Sequence, residues 1–233
     1  MEYGVPQHLE EDNASGLTAW SRTLFTSMTE LTPVFYFDSV DPLSFLMDRE
    51  VRFVEEATGV LCRRLPLELR PAPAELADAS HPLWAPRWHE ATRLITVDGA
   101  DLKPEACAQS RVSLHVPKLV PRSRKAHEFL LHAEAVNSGL GRAALDSVFT
   151  AFLVDGRDIG RVDVLVELGR ALGLDHTETK AVLDVDRYEI DAAHFEAHAN
   201  AAGIRGPACL VAHGRRLEGF HNQSTIGTFL AST

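Results

Sequence analysis

The stretch FDSVDPLSF, residues 37–45, joins a strand pattern directly to a helix pattern. It closes the aromatic and β-branched run PVFYFD (33–38), which predicts a buried strand. Pro42 then opens an apolar helical pattern that ends near Gly59. Proline is favoured at the first helical position because its missing N–H would have no partner there. A strand that turns at once into a helix indicates the start of an α/β domain.

Downstream of this first helix the pattern changes twice. VLCRRLPLEL (60–69) predicts a second strand, and a Pro-rich, less regular stretch that holds Trp84 and Trp88 follows it. From Ser123 to Gly203 the apolar residues recur at helical spacing in successive stripes. This long helical block is typical of an insertion into a sheet domain.

Strand character returns near the C-terminus. CLVAHGRRLEGF (209–220) predicts a hairpin that turns at His213-Gly214, and NQSTIGTFL (222–230) predicts a short helix. The whole order favours an α/β sheet domain that is interrupted by an all-helical insertion. An N-terminal arm, the first part of the sheet domain, the insertion and the second part of the sheet domain are expected at 1–32, 33–75, 76–190 and 191–233.

The charge balance limits the partners. The chain has 23 Lys and Arg against 33 Asp and Glu, a net charge of −10. Such a surface repels phosphate backbones, so nucleic acid is not an expected partner. No apolar run approaches membrane-spanning length, and the acidic N-terminus lacks the basic start and apolar core of a signal peptide. We therefore expect a cytoplasmic protein without a membrane partner.

The cysteine and histidine spacings argue against a metal site. Cys62, Cys107 and Cys209 are odd in number and far apart, which argues against a disulfide framework and a Cys-based zinc site. His194 and His198 lie four residues apart, as zinc ligands on one helix face do, but no third ligand follows from the spacing. We expect no metal.

Within the arm, apolar residues recur at helical spacing after Ser15, a candidate N-cap. They are Leu17, Trp20, Leu24, Phe25 and Met28. Three alternatives for this arm stay open. It could dock on the body of its own chain, dock on a second subunit and so form a homodimer, or be partly disordered.

Three segments together resemble a known family: FYFDSVDPLSFL, AFLVDGRDIG followed by VLVELGRALGLD, and AAGIRGPACLVAHGRRLEGF. They are similar to the DsbA-like thioredoxin superfamily. The nearest branches are the cytoplasmic DsbA-type oxidoreductases and the group of 2-hydroxychromene-2-carboxylate isomerases and kappa-class glutathione transferases. The resemblance runs from about residue 33 to the C-terminus. It implies a thioredoxin-like fold with a helical insertion and a ligand site in the cleft between them.

The resemblance also assigns the segment after the first strand, which is Cys-Pro-x-Cys in the redox branch and Ser-Pro-x-Ser in the isomerase branch. The matching residues here are Asp41, Pro42, Leu43 and Ser44. Dithiol exchange needs one thiolate to attack and a second thiol to resolve the mixed disulfide, and neither Asp41 nor Ser44 supplies one. The family's cis-proline, which faces this segment, corresponds to Pro207, since only an X-Pro bond readily adopts the cis form.

Asp41 has two interpretations. Aspartate is a favoured N-cap whose loss costs about 1 kcal/mol, and its charge suits the positive end of the helix dipole. A carboxylate in a partly buried cleft can also act as a general acid or base. A glutathione-dependent enzyme would instead use Ser44 or Ser39 to stabilise the glutathione thiolate, against a repulsion from Asp41 of about 1–4 kcal/mol at 4 Å.

The remaining ligand-site candidates also come from the resemblance. The basic cluster PRSRKAH (121–127) matches a family segment near the cleft, where Arg122 could bind an anionic ligand or face solvent. His127 matches a family position, and a buried, hydrogen-bonded histidine is its other interpretation. Pro42, Gly206 and Pro207 complete the expected ligand-binding set.

Three functions follow as hypotheses. The first is a family member that has lost dithiol chemistry and binds a small molecule or peptide beside Asp41 and Pro207. The second is a glutathione-dependent isomerase or transferase of the 2-hydroxychromene-2-carboxylate isomerase or kappa type. The third is a non-catalytic interaction protein whose N-terminal arm mediates self-association.

Overall fold

The computed structural model describes residues 32–98 and 113–232. The described strands are β1 (Val34–Phe37), β2 (Arg63–Pro66), β3 (Cys209–Ala212) and β4 (Arg215–Glu218). They form one mixed sheet in the order β2-β1-β3-β4, with β1 and β2 parallel and the other pairs antiparallel. The helical stripe expected at Leu17–Met28 of the arm lies outside the described residues.

Eight α-helices surround the sheet within the described residues. They are α1 (Pro42–Thr58), α2 (Ala85–Asp98), α3 (Arg124–Val136), α4 (Leu140–Phe149), α5 (Val162–Ala171), α6 (His176–Asp184), α7 (Glu189–Ala201) and α8 (Gln223–Ala231). Helix α4 continues into a π-helical segment, Thr150–Val154. None of the described helices is long and apolar enough to cross a membrane.

Strand β1 divides the core into two layers because successive side chains of a strand point to opposite faces. Phe35 and Phe37 belong to the larger buried cluster, which includes side chains of α1, α3, α4 and α8. Val34 and Tyr36 belong to a second cluster with side chains of α7. A strand that is buried on both faces reads as a continuous apolar run, as VFYF does.

Most sequence predictions of elements are confirmed. The helix from Pro42 ends at Gly59, whose φ of 76° closes it in the left-handed region. His213 and Gly214 also have positive φ, 52° and 69°, as a two-residue hairpin turn requires. The second strand, Arg63–Pro66, is shorter than the predicted 60–69.

One element was missed. The stretch around Trp84 and Trp88, expected to be irregular, contains helix α2. Pro86 lies in the first turn of α2, where proline is tolerated. Trp88 of α2 packs edge-on against Phe152, with the two ring centroids 6.5 Å apart. Tertiary packing therefore fixes a helix whose own apolar pattern is weak.

The order of elements gives the fold class. Strands β1 and β2 enclose α1, a long helical block follows, and the β3–β4 hairpin and α8 return to the same sheet. This is a thioredoxin-like fold with an all-helical insertion, as the sequence predicted. The divisions at residues 75 and 190 stay predictions.

Candidate functional site

The site is built on the first turn of α1. Asp41, which is 0 % exposed, is the N-cap, and its carboxylate accepts hydrogen bonds from Leu43 N at 3.3 Å and Ser44 N at 2.9 Å. Pro42 has no N–H, and Phe45 N donates to the Asp41 carbonyl at 3.2 Å. Every backbone N–H of this turn is therefore paired inside the protein.

The Ser44 hydroxyl is hydrogen-bonded to the Asp41 carboxylate. Its Oγ donates to Asp41 Oδ2 at 2.6 Å and accepts from Asp38 N at 3.2 Å. The hydroxyl is thus used in both directions by neighbouring groups. Ser44 has no further hydrogen available to donate to a ligand.

A cation that the sequence did not reveal completes the site. Arg87 of α2 pairs side-on with Asp41, with Nε 2.6 Å from Oδ1 and Nη2 2.7 Å from Oδ2. Its Nη2 also donates to the Pro207 carbonyl at 3.0 Å. Burial alone would lower the pKa of Arg87, but the Asp41 charge and hydrogen bonds outweigh it, and the pKa is raised.

Arg87 retains donor capacity. Its side chain is 20 % exposed, and Nη1 donates no hydrogen bond within residues 32–98 and 113–232. Beside it lies a small apolar cluster formed by Leu43, Ala91 and Ala208, with Leu46, Leu94, Leu114 and Phe220 partly buried against it. The arrangement offers one charged N–H₂ group next to an apolar surface.

Pro207 lies at the site, but the cis-proline expectation is wrong. The cis peptide bond of the described residues is Ala72–Pro73, so Gly206–Pro207 is trans. The chain turns into β3 at Ala208 instead, whose φ of 57° is in the left-handed region. Gly206 is half-buried and faces Leu69, which an added Cβ would approach to 3.4 Å.

Ser39 and His127 belong to a second buried polar cluster, which follows β1. Ser39 N lies 3.3 Å from His127 Nε2, and Asp38 Oδ1 lies 3.5 Å from the same nitrogen. Burial raises the pKa of Asp38, but His127 and the N–H of Leu69 outweigh it, and the pKa is lowered. Ser39 Oγ is buried and has no hydrogen-bond partner among the described residues.

The basic cluster of 121–127 is used internally. Arg122 Nη2 donates to the Ala74 carbonyl, and Arg122 lines a cavity of about 20 Å³ together with Asp38. Arg124 pairs with Glu68 and, at 3.1 Å, with Glu196. The structure thus brings Asp41, Ser44 and Pro207 together, whereas Arg122 contacts a different part of the molecule.

The described thiols, Cys62 and Cys209, are free and buried. Burial raises the pKa of Cys62 to about 12 and that of Cys209 to about 11. Cys209 packs with Tyr36 and Phe195 in the cluster on the α7 side of the sheet. Both thiols are therefore protonated at neutral pH.

His194 and His198, the pair at zinc-ligand spacing, both lie on α7. Tyr36 Oη lies 3.1 Å from His198 Nδ1. No group of three His, Cys, Asp or Glu side chains in the described part of the chain is arranged to hold a metal ion.

Fold and site together define a thioredoxin-like protein whose first helix begins at a buried carboxylate paired with arginine. The chain belongs to the family of the DSBA-like thioredoxin domain, whose model matches residues 33–231. No curated protein matches it significantly in sequence.

Solved structures share this fold. A probable DsbA oxidoreductase, SCO1869 from Streptomyces coelicolor, aligns with a TM-score of 0.69 at 19% identity, over 85% of this chain and 87% of that one. A 2-hydroxychromene-2-carboxylate isomerase aligns with a TM-score of 0.62 at 14% identity, over 84% and 91%. The cytosolic disulfide reductase DsbM from Pseudomonas aeruginosa, solved with glutathione, aligns with a TM-score of 0.55 at 23% identity, over 84% and 93%. At these identities the likeness concerns the fold.

Proposed function

We propose that this protein binds a small molecule or peptide through a neutral carbonyl acceptor at Arg87, beside Asp41 and Pro207, and does not carry out dithiol exchange. The observation that carries the proposal is the Arg87 guanidinium. Two of its nitrogens are fixed by Asp41 and Pro207, and the third, Nη1, is left with two N–H groups to donate. A cytosolic location, as in the DsbM relative, is part of the proposal.

The loss of dithiol chemistry rests on the first turn of α1. Asp41 and Ser44 stand where the family's redox branch has cysteines, and neither can form a disulfide. The buried thiol of Cys209, whose pKa is raised to about 11, does not replace them.

The preference for a neutral acceptor follows from the charges around Arg87. Asp41 already neutralises it, and the charges of Asp38 and Glu90 also act on the guanidinium. An anionic ligand would add a further negative charge to this group of carboxylates. A carbonyl oxygen can accept from Nη1 without that repulsion, while an apolar group packs on the partly buried Leu94 and Phe220 at the edge of the apolar cluster.

A matched pair of probes tests this proposal. N-acetyl-leucinamide and N-acetyl-leucine have the same apolar side chain and differ in charge. We expect the amide to shift the Arg87 Nε–H resonance more strongly than the acid does in NMR titrations. Arg87→Gln should abolish binding of the amide, and Arg93→Gln, an exposed position on the same helix, should not. Stronger binding of the acid would contradict the neutral-acceptor proposal.

Glutathione-dependent isomerase or transferase activity is the second candidate. The observation that favours it is Ser39 Oγ, a buried hydroxyl without a hydrogen-bond partner among the described residues. The residues at α1 do not fit the thiolate of glutathione, because the N–H groups of Leu43 and Ser44 and the Ser44 hydroxyl all donate to Asp41. Calorimetric titration with reduced glutathione, comparing wild type with Ser39→Ala, tests this candidate. It fails if the wild type does not bind.

A further inference from the structure

A groove follows the outer edge of β2, which is the edge strand of the sheet in the described residues. It has a volume of about 420 Å³ and lies between β2, α3 and α4. Its apolar and thiol lining consists of Phe37, Leu61, Cys62, Pro66, Leu130, Leu131 and Leu145. Leu61 is 67 % exposed, so the described residues leave a large apolar side chain of the groove uncovered.

The chain leaves the described body next to this groove. Arg63, a lining residue, donates its N–H to the Pro33 carbonyl at 2.8 Å. Residues 1–31 precede this point and lie outside the described residues. Any segment close before Pro33 therefore starts beside the entrance of the groove.

Only a short segment of chain connects Pro33 to the apolar stripe of the arm. Met28 lies five positions before Pro33, and an extended chain over five positions spans at most ~17 Å. If the stripe from Leu17 to Met28 is helical, as its spacing predicts, it is about 18 Å long. An amphipathic helix requires a partner surface for its apolar side.

We propose that the N-terminal arm binds in this groove of its own chain, with the stripe Leu17–Met28 packed against Leu61 and the apolar lining of α3 and α4. The arm thereby covers the exposed edge of β2, whose unpaired backbone groups would otherwise invite association with other chains. The groove is thus an internal docking surface, separate from the site at Arg87.

The charges of the two partners are complementary. Residues 1–31 contain five acidic residues and one arginine. The groove lining includes Arg63, Arg64 and Arg142 against one acid, Glu134. Arg64 pairs with both Asp48 and Glu55, and Arg142 pairs with Glu55, although the Arg142 side chain stays 40 % exposed. Arg142 therefore offers an exposed cation to an acidic arm.

Tryptic cleavage after Arg22 in the full chain tests the proposal, because a bound arm is protected from proteolysis. Leu61→Glu places a charge in the groove, and Leu24→Glu places one in the stripe. We expect each substitution to accelerate cleavage at Arg22 about tenfold, since the cleavage rate follows the population of the open form. Leu83→Glu, at an exposed leucine outside the groove lining, should leave the rate unchanged.

Hydrogen exchange and light scattering complete the test. Leu24→Glu should raise deuterium uptake at residues 60–66, and the wild type should be a monomer. Unchanged cleavage in both glutamate variants would overturn the proposal, and so would an effect of Leu24→Glu without one of Leu61→Glu. A wild-type dimer that loses protection at Arg22 on dilution would show that the arm binds a second copy, which also overturns it.

Discussion

Helix α1 carries a buried carboxylate at each end, and the two are compensated in different ways. Asp41, at the start, is paired with Arg87 and with the N–H groups of the first turn. Glu55, in the last turn, is paired with Arg64 and Arg142 and accepts from Cys62 N at 2.7 Å. One carboxylate thus has one arginine and the other has two.

The helix dipole explains part of this difference. A negative charge is stabilised at the N-terminus of a helix and destabilised at its C-terminus, so Glu55 needs more compensation than Asp41. Its two arginines come from β2 and α4, which ties three elements together. Asp48 extends this cluster by pairing with Arg64 at 2.9 Å and Arg52 at 2.6 Å.

Arg64, a cation beside Glu55, and Arg87, the cation beside Asp41, differ in how far their hydrogen-bond donors are used. Arg64 is occupied by two acids and a backbone carbonyl at once. Arg87 has one acidic partner in hydrogen-bond contact and keeps Nη1 available within the described residues. The proposal of a ligand at Arg87 therefore rests on unused donor capacity rather than on buried charge as such.

The largest effect is expected at the C-terminal end of α1. Glu55→Ala leaves Arg142 without its carboxylate and the N–H of Cys62 without its acceptor. Breaking a buried ion pair by removing one partner costs about 3–5 kcal/mol, and urea unfolding measures it. Glu56→Ala, the exposed neighbour, should change the free energy of unfolding by less than about 0.5 kcal/mol. Equal losses of unfolding free energy in both variants would show that the ion pairs of Glu55 do not stabilise the fold.

A smaller effect is expected at the N-terminal end. Arg87→Gln should lower the free energy of unfolding by about 2–3 kcal/mol, because Asp41 keeps three other donors and Arg87 is partly exposed. In a double-mutant cycle with Asp41→Asn, the coupling energy should be about 1–3 kcal/mol. A coupling near zero would show that Asp41 acts only as a helix cap.

The features at the start of α1 that could be predicted from the sequence are those encoded by neighbouring residues. The β1–α1 junction and the cap at Asp41 are encoded locally, since Pro42 and the carboxylate need only the next three residues. The hairpin turn at His213-Gly214 is local in the same way. These features were predicted because the interactions that form them lie within one turn of chain.

The partner of Asp41 was not predictable in this way. Arg87 is 46 residues away in the chain, on a helix without a strong apolar stripe. One signal was present: a carboxylate placed at a buried helix start requires a cation, since charged groups are rarely buried unpaired. The sequence has several arginines that could have met this requirement, and tertiary structure selects Arg87.

The stability of the protein should also depend on pH through Asp38, a buried acid whose backbone N–H donates to the Ser44 hydroxyl. The folded pKa of Asp38 is lowered, because the effects of His127 and Leu69 N–H outweigh burial. Its contribution to stability is therefore present above the unfolded pKa of about 4 and is lost as the pH falls through the lower folded value. We expect a smaller effect than at Arg87, since burial opposes the hydrogen bonds.

The measurement is the free energy of unfolding between pH 7 and pH 2 for wild type and Asp38→Asn. The wild type should lose stability on acidification more steeply than the variant does, whatever the absolute difference at pH 7. Parallel curves would show that Asp38 has the same pKa in both states.

The smallest expected effect concerns one buried thiol near each of the two regions. Cys62 donates its N–H to Glu55, and Cys209 follows Pro207 by two residues. Burial and the charge of Glu55 raise the pKa of Cys62 to about 12, and burial raises that of Cys209 to about 11.

In a Cys107→Ser background, iodoacetamide at pH 8 should therefore modify neither thiol in the folded protein and both in urea. Glu55→Ala should then make Cys62, and not Cys209, measurably reactive. Fast modification of Cys209 in the folded wild type would contradict this prediction and would make Cys209 a candidate reactive group at the site beside Arg87.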